Sequence, residues 1–262
     1  MSNSNAEHPT VALEVAAASD VGLVRSSNQD VALAYLSPEI PSRALLLVAD
    51  GMGGHLAGHL ASQIAAQTLF AYFQSFLDGV TRGEADLTLS EQLEQAIKAA
   101  NRAIRQYACE HPEEAGDMGS TLTCALIDGN VAIIANVGDS RAYHFSQGTL
   151  HQVSQDHSLV AELIREGELP AEALLFHPQR NVITRALGVE EDVQPDIWVR
   201  PISSGDWLLL CSDGLWEMVP ESLMTHVLTT SLEAGLAVGR LLQAANERGG
   251  VDNIGVAVAR VW

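Results

Sequence analysis

Lysine is almost absent from this sequence: only Lys98, inside a helical pattern, is a lysine among the 14 basic residues. A Gly-Lys-Ser/Thr phosphate loop, a kinase strand lysine and most Schiff-base chemistry are therefore excluded. Cysteine is also scarce, and Cys109, Cys124 and Cys211 form no Cys-x-x-Cys pair. We expect no disulfide framework and no zinc–cysteine site, and we expect the three thiols to be buried. None of them is followed by the arginine that a cysteine-nucleophile phosphatase requires.

No apolar run reaches the roughly eighteen residues that a membrane-spanning helix needs. Residues 1–10 contain neither lysine nor arginine and no apolar stretch, which favours a flexible N-terminus over a signal peptide. Acidic residues outnumber basic ones by 33 to 14, and the net charge of −19 repels nucleic acid and anionic lipid. We therefore expect a cytoplasmic monomer with neither nucleic acid nor a membrane as partner.

Apolar periodicity predicts strands and helices in separate runs along the chain. Strands are predicted at residues 11–17, 31–36, 44–49, 121–127, 131–137, 141–145, 197–200, 207–211 and 254–261. Helices are predicted at residues 60–76, 90–107 (with Ser90 as N-cap), 158–166, 220–229 and 232–247. Because helices come in adjacent pairs, we predict an α+β fold of two largely antiparallel sheets flanked by helix pairs. This four-layer αββα sandwich would be one domain spanning residues 11–262.

Four aspartates adjoin strand-like segments beside small or turn-forming residues: Asp50, Asp139, Asp213 and Asp252. Strand ends can converge at one edge of a sandwich, and carboxylates gathered there repel one another unless cations lie between them. All-oxygen coordination suits Mg²⁺ or Mn²⁺. Asp-Gly is also a common hairpin turn, so each aspartate alone has an ordinary structural explanation. The four together favour a carboxylate metal site.

Eight motifs occur in a distinctive order. They are Arg25-Ser-Ser-Asn-Gln-Asp30, Val48-Ala-Asp-Gly-Met-Gly-Gly-His55, Gly119-Ser-Thr121, Asn136-Val-Gly-Asp-Ser-Arg141, Asp156-His-Ser158, Thr184-Arg-Ala-Leu-Gly188, Cys211-Ser-Asp-Gly-Leu-Trp216 and Gly249-Gly-Val-Asp-Asn253. In order and spacing the chain resembles the metal-dependent type 2C protein phosphatases, above all their compact bacterial members. The resemblance implies that water bridging two divalent metal ions directly attacks phosphoserine or phosphothreonine. It also implies phosphoprotein substrates and an opposing bacterial-type Ser/Thr kinase.

The resemblance further implies how two to three Mn²⁺ or Mg²⁺ ions are held. Asp50 would bridge the two catalytic metals, with the Gly51 carbonyl as a further ligand. Asp213 and Asp252 would bind the first metal. A third metal would be bound by Asp139 together with Asp213.

Other positions are assigned by the same resemblance. Asp30 would hydrogen-bond metal-bound water, and the Arg25 guanidinium would hold the substrate phosphate. Residues 159–181 would form a mobile flap beside the metal site. Animal members carry a histidine proposed as general acid where this chain has Met52, so the general acid stays unassigned. They also carry a glutamate where this chain has Gln29, which implies that the second metal relies more on water ligands here.

Two alternatives remain open from the sequence. The chain could be a catalytically inactive relative that serves as a binding or regulatory module, although its intact aspartates argue against decay of the site. It could also be a phosphomonoesterase for a small molecule, although no motif builds an enclosing pocket for one.

Overall fold

A computed structural model describes residues 11–54, 57–80 and 87–262, so the expected flexible residues 1–10 lie outside the described part. The strands are β1 (Leu13–Asp20), β2 (Asp30–Leu36), β3 (Arg43–Met52), β4 (Gly119–Ser120), β5 (Leu122–Asp128), β6 (Val131–Val137), β7 (Arg141–Ser146), β8 (Thr149–Gln152), β9 (Asp196–Pro201), β10 (Trp207–Cys211) and β11 (Ile254–Val261). The helices are α1 (Ala57–Leu77), α2 (Leu89–Glu110), α3 (Pro112–Ala115), α4 (Leu159–Arg165), α5 (Ala173–Phe176), α6 (Asp213–Trp216), α7 (Glu221–Thr230) and α8 (Ala234–Glu247).

These strands form two antiparallel sheets. Sheet I has the order β1-β11-β10-β7-β8, and sheet II has the order β2-β3-β5-β6-β9, with β4 paired to β3. Helices α1 and α2 cover sheet II, and α7 and α8 cover sheet I. The predicted four-layer αββα sandwich is therefore confirmed. No helix in the described ranges combines the length and apolarity that crossing a bilayer requires.

Strand β3 contributes side chains to two hydrophobic cores, one on each face of its sheet. Successive side chains of a strand point to opposite faces of its sheet. Leu45 and Leu47 accordingly pack with α1 and α2, whereas Leu46 and Val48 pack between the two sheets. Both faces of β3 are buried, which explains its continuous run of apolar residues.

The differences from the predicted elements have local causes. Helix α2 is capped by Thr88 rather than Ser90, because Thr88 and Glu91 form a reciprocal capping box. Strand β8 was not predicted, since three of its four residues are exposed and it lies at a sheet edge. Cys109 is exposed, contrary to expectation, because it falls outside the buried face of α2. Cys124 and Cys211 are buried as expected.

Candidate metal and phosphate site

The carboxylates lie where the core between the sheets ends. On β3, Val48 faces sheet I, and Asp50 is the next side chain on that face. Asp30 is the residue directly opposite Asp50 on β2. Asp213 follows β10 and Asp252 precedes β11, at the corresponding end of sheet I. The apolar interior therefore passes into an acidic end to which both sheets contribute.

Asp30 is held across the sheets by a serine that follows β10. The Ser212 hydroxyl donates to Asp30 Oδ2 at 2.6 Å and accepts from the Gly255 N–H at 2.7 Å. Position 255 has to be small, because a Cβ atom there would lie 2.9 Å from Val48 Cγ1 and 3.2 Å from Asp30 Oδ2. The missing side chain of Gly255 thus makes room for a buried carboxylate.

Several carboxylate oxygens at this end lack a hydrogen-bond partner in the described part of the chain. Asp30 Oδ1, Asp139 Oδ1 and Asp213 Oδ1 are all buried in this way. Burial raises the pKa of Asp30 and of Asp139 to about 7. Burial also raises the pKa of Asp50 and of Asp213 well above its usual range, and the charges of neighbouring aspartates, including Asp252, add to this effect.

This donor set fits hard divalent cations. A buried carboxylate without a donor is costly unless it is protonated or paired with a positive charge, and Mg²⁺ and Mn²⁺ prefer oxygen ligands. Asp252 Oδ2, however, accepts from Arg25 Nη2 at 2.7 Å. Among residues 11–54, 57–80 and 87–262, no three acidic, histidine or cysteine side chains already converge as a ligand set.

Arg25 lies at a pocket of about 240 Å³ beside these carboxylates, and the pocket is lined by Arg25, Ser26, Ser27, Gln29, Gly53 and Asn253. The hydrogen bond and charge of Asp252 raise the pKa of Arg25, so its guanidinium is positively charged. Asn253 fixes the loop that carries Arg25, since its side-chain amide donates to the Val21 and Ser27 carbonyls at 2.9 Å each. A guanidinium with free donors suits two oxygens of a phosphate.

Asp139 lies in a turn before β7 that is held on several sides. The Trp216 indole N–H donates to the Asp139 carbonyl at 3.0 Å, and Arg141 stacks on the same indole ring. The Gly138 N–H donates to His157 Nδ1 at 3.0 Å. Gly138 has φ +108°, a conformation that favours glycine. These contacts fix the backbone that presents the Asp139 carboxylate.

The structure brings together the predicted aspartates Asp30, Asp50, Asp139, Asp213 and Asp252, with Arg25 at their edge. Gly51 pairs with Ser120 on β4, and a Cβ on Gly51 would meet the Gly58 carbonyl at 2.0 Å. The ligand role of its carbonyl stays a prediction.

Sequence reasoning assigned no role to four residues that support the site, namely Ser212, Trp216, Asn253 and His157. Each belongs to a motif quoted above, and that membership was the available signal. Their roles depend on hydrogen bonds to distant segments, which a motif does not reveal.

An antiparallel sandwich that ends in buried carboxylates, beside an arginine pocket for an oxyanion, is the arrangement expected of a metal-dependent phosphate-ester hydrolase. A family model described as protein phosphatase 2C matches residues 25–244. The chain therefore belongs to the protein phosphatase 2C family.

Individual relatives agree with this assignment. Serine/threonine phosphatase stp of Listeria welshimeri is 38% identical over 237 residues, covering 90% of this chain and 91% of that protein. Protein phosphatase PhpP of Streptococcus pneumoniae is 36% identical over 247 residues, covering 94% and 96%. The catalytic domain of serine/threonine protein phosphatase PstP, solved in complex with two manganese ions, matches with a TM-score of 0.82 at 36% identity, covering 96% of this chain and 99% of that one. The predicted enzyme class, a serine/threonine phosphatase, is confirmed.

Proposed function

We propose that this chain removes phosphate from phosphoserine and phosphothreonine of proteins at the acidic end of the sandwich, using two to three Mn²⁺ or Mg²⁺ ions. The observation that carries the proposal is the set of buried, unpaired carboxylate oxygens beside the pocket of Arg25. When bound, two divalent cations would supply the attacking water at neutral pH and neutralise charge on the phosphoryl oxygens. The manganese-bound structure of PstP supports the choice of metal.

The chain's own carboxylates would hold the cations. Asp50 would serve both catalytic ions, with the Gly51 carbonyl beside it, and Asp213 and Asp252 would complete the first site. Asp139 would bind a third ion together with Asp213. The raised pKa values of Asp50, Asp139 and Asp213 are consistent with this role, because the same burial that favours protonation also favours a bound cation.

Arg25 and Asp30 would act on substrate and water. Arg25 would exchange its contact with Asp252 for two oxygens of the substrate phosphate. Asp30, held in place by Ser212, would orient the attacking water through a hydrogen bond. Met52 has no proton to donate, so the leaving oxygen would take its proton from water or another group.

Residues 159–181 would act as a flap. In this segment only Val160 is buried within its helices α4 and α5. Its ends are joined by a bridge between Ser158 and Ile183, and Arg180 forms an ion pair with Glu217 at 3.5 Å. The segment can therefore move while its ends stay attached to the sandwich.

A protein substrate suits the pocket better than a metabolite. At about 240 Å³, the pocket is smaller than the ~300–1,000 Å³ that encloses a typical small ligand. It has room for a phosphate group whose carrier stays outside. We further propose a cognate Ser/Thr kinase as the opposing enzyme, a cytoplasmic location and a monomeric state.

The test is metal-dependent release of phosphate from a phosphothreonine peptide. We expect activity with Mn²⁺, none with a chelator, and a loss of orders of magnitude in Asp213→Asn. Asp192→Asn is the matched control, because Asp192 is largely exposed and remote from the aspartate cluster. Full activity in chelator would exclude metal catalysis. Metal binding without hydrolysis would favour an inactive binding module, and hydrolysis of metabolites alone would favour a phosphomonoesterase.

A further inference from the structure

Four aliphatic side chains are exposed in the two segments that lead to Arg25 and to Asp252. They are Val21 (37% exposed), Leu23 (69%), Val24 (67%) and Val251 (45%), and we call them the apolar rim. Single exposed aliphatic residues are ordinary on protein surfaces. Here, however, three of them fall within the residues just before Arg25, and the fourth immediately precedes Asp252.

The two segments that carry the apolar rim are fixed to each other. The Leu23 N–H donates to the Gly250 carbonyl at 2.7 Å. Gly22 has φ +77°, and a Cβ there would lie 2.3 Å from the Asp252 carbonyl oxygen. The Asn253 amide adds its bond to the Val21 carbonyl at 2.9 Å. The rim is thus a preformed surface that adjoins Arg25 through close backbone packing.

The rim also differs from its surroundings in charge. The chain has a net charge of −19, and the neighbouring site is a cluster of carboxylates. None of the four rim residues carries a charge. An apolar side chain placed here would gain by removing aliphatic surface from water.

We propose that the apolar rim binds the apolar side chain next to the phosphorylated residue of an extended substrate peptide. The substrate class is then phosphoserine or phosphothreonine peptides with an aliphatic or aromatic neighbour. This inference rests on the proposed function, since it needs the phosphate at Arg25. Extended chains advance about 3.3–3.6 Å per residue, so the residues one or two positions from the phosphorylated one stay near the anchor. Leu23 and Val24 lie in the turn directly before Arg25, so they also stay near the anchor.

Other occupants fit this surface less well. Anionic lipid would be repelled by the net charge. Four side chains are too few for a stable interface between two copies, which typically involves about 20–30 residues on each side. A peptide anchored by its phosphate needs only a small additional contact, and this matches the size of the rim.

The experiment compares two phosphothreonine peptides that differ only in the residues flanking phosphothreonine, leucine in one and serine in the other. With Mn²⁺, we expect kcat/KM to favour the leucine peptide by about tenfold, the effect of partly burying one such side chain. Leu23→Ser should bring this ratio close to one. p-Nitrophenyl phosphate, which has no flanking residues, reports on the phosphate site alone.

The matched control is Leu232→Ser, because Leu232 is 75% exposed and precedes α8 next to Glu14, at the opposite end of the sandwich. This variant should keep the wild-type ratio. Equal kcat/KM of the wild type on both peptides, with p-nitrophenyl phosphate hydrolysed, would overturn the apolar rim and leave the proposed function standing. An unchanged ratio in Leu23→Ser would overturn it as well. No hydrolysis of any substrate would remove the proposed function and the rim with it.

Discussion

His157 offers a test of how the turn before Asp139 is supported. Its ring is 2% exposed, and Nδ1 accepts from the Gly138 N–H at 3.0 Å. Because Nδ1 acts as acceptor, the ring proton lies on Nε2, which donates to Asp196 Oδ2 at 3.1 Å. Arg185 also donates to Asp196, at 2.9 Å. His157 therefore connects the turn that precedes β7 with the segment that follows the proposed flap.

Two substitutions separate the two ring nitrogens. In His157→Asn the side-chain oxygen takes the place of Nδ1, so the Gly138 N–H keeps its acceptor. In His157→Gln the polar atoms reach the place of Nε2, and the Gly138 N–H is left buried and unpaired. An unpaired buried donor costs about 1–3 kcal/mol. The lost bond to Asp196 should cost less, because Asp196 is partly exposed and keeps Arg185.

We therefore expect His157→Gln to be less stable than His157→Asn by about 1 kcal/mol, once the larger void left by asparagine is included. Urea unfolding followed by circular dichroism measures the difference. Turnover should follow the same order, since the turn also presents Asp139. If His157→Asn were the less stable of the two variants, the hydrogen bond from the Gly138 N–H would not be the main contribution of His157 to stability.

The pH dependence gives a second readout of the same residue. Burial lowers the pKa of His157 below its usual 6.5 in the folded state. The unfolded chain then binds more protons than the folded one. The lowered pKa of His157 therefore stabilises the fold fully above pH about 6.5, and this stabilisation is lost as the pH falls toward the folded-state pKa. The pKa values of Asp30 and Asp139 shift in the opposite direction. The quantity to follow is therefore the difference in unfolding free energy between wild type and His157→Asn. That difference should shrink on acidification.

Four further predictions concern the site and the residues that support it. Arg25→Ala should raise KM strongly without lowering metal affinity, measured by calorimetry, because Asp252 then loses its contact with Arg25. A collapse of metal affinity would make Arg25 structural. Gly255→Ala should cost about 1–3 kcal/mol of stability through its contacts with Val48 and Asp30, whereas Gly239→Ala, with nothing within 4 Å, should gain about 0.5–1 kcal/mol in urea unfolding. Replacing residues 159–181 by a short Gly-Ser loop should preserve the fold. It should lower turnover of a phosphoprotein more than turnover of p-nitrophenyl phosphate. Equal losses of turnover on both substrates would show that the segment supports the catalytic centre. Cys211→Ala should keep substantial turnover, because burial raises the pKa of this thiol and keeps it protonated, and a phosphocysteine trapped by rapid quench would contradict direct attack by water.

Elements with strong apolar periodicity were predictable from the sequence. The predicted strands at residues 131–137, 207–211 and 254–261 coincide with β6, β10 and β11. Strand β4, with two residues, and the short helices α3, α5 and α6 escaped prediction, because they are too short to show a period. The Asp128-Gly129 pair, which lies between two predicted strands, indicates a hairpin in the sequence. The structure forms this hairpin, with Asp128 still paired to Val131 and the turn itself at Gly129-Asn130.

The site was predictable as residue types and not as contacts. Aspartates beside strand ends can be recognised in the sequence, because a charged residue there interrupts an apolar run. The bond from Ser212 to Asp30 joins residues 182 positions apart, and the bond from Gly138 to His157 depends on how a turn is oriented. Sequence periodicity contains no information on either pairing, so only the folded chain reveals these supports.

The alternating side chains of β3 have a consequence for how this chain can change over evolution. Because Leu45 and Leu47 face one core and Leu46, Val48 and Asp50 face the other side, inserting or deleting one residue within β3 would turn Asp50 toward the helices. The same event would bring leucines out of register with both cores. Length changes should therefore be tolerated in exposed turns such as Gln147-Gly148 and eliminated within β3, where one shift would abolish packing and catalysis together.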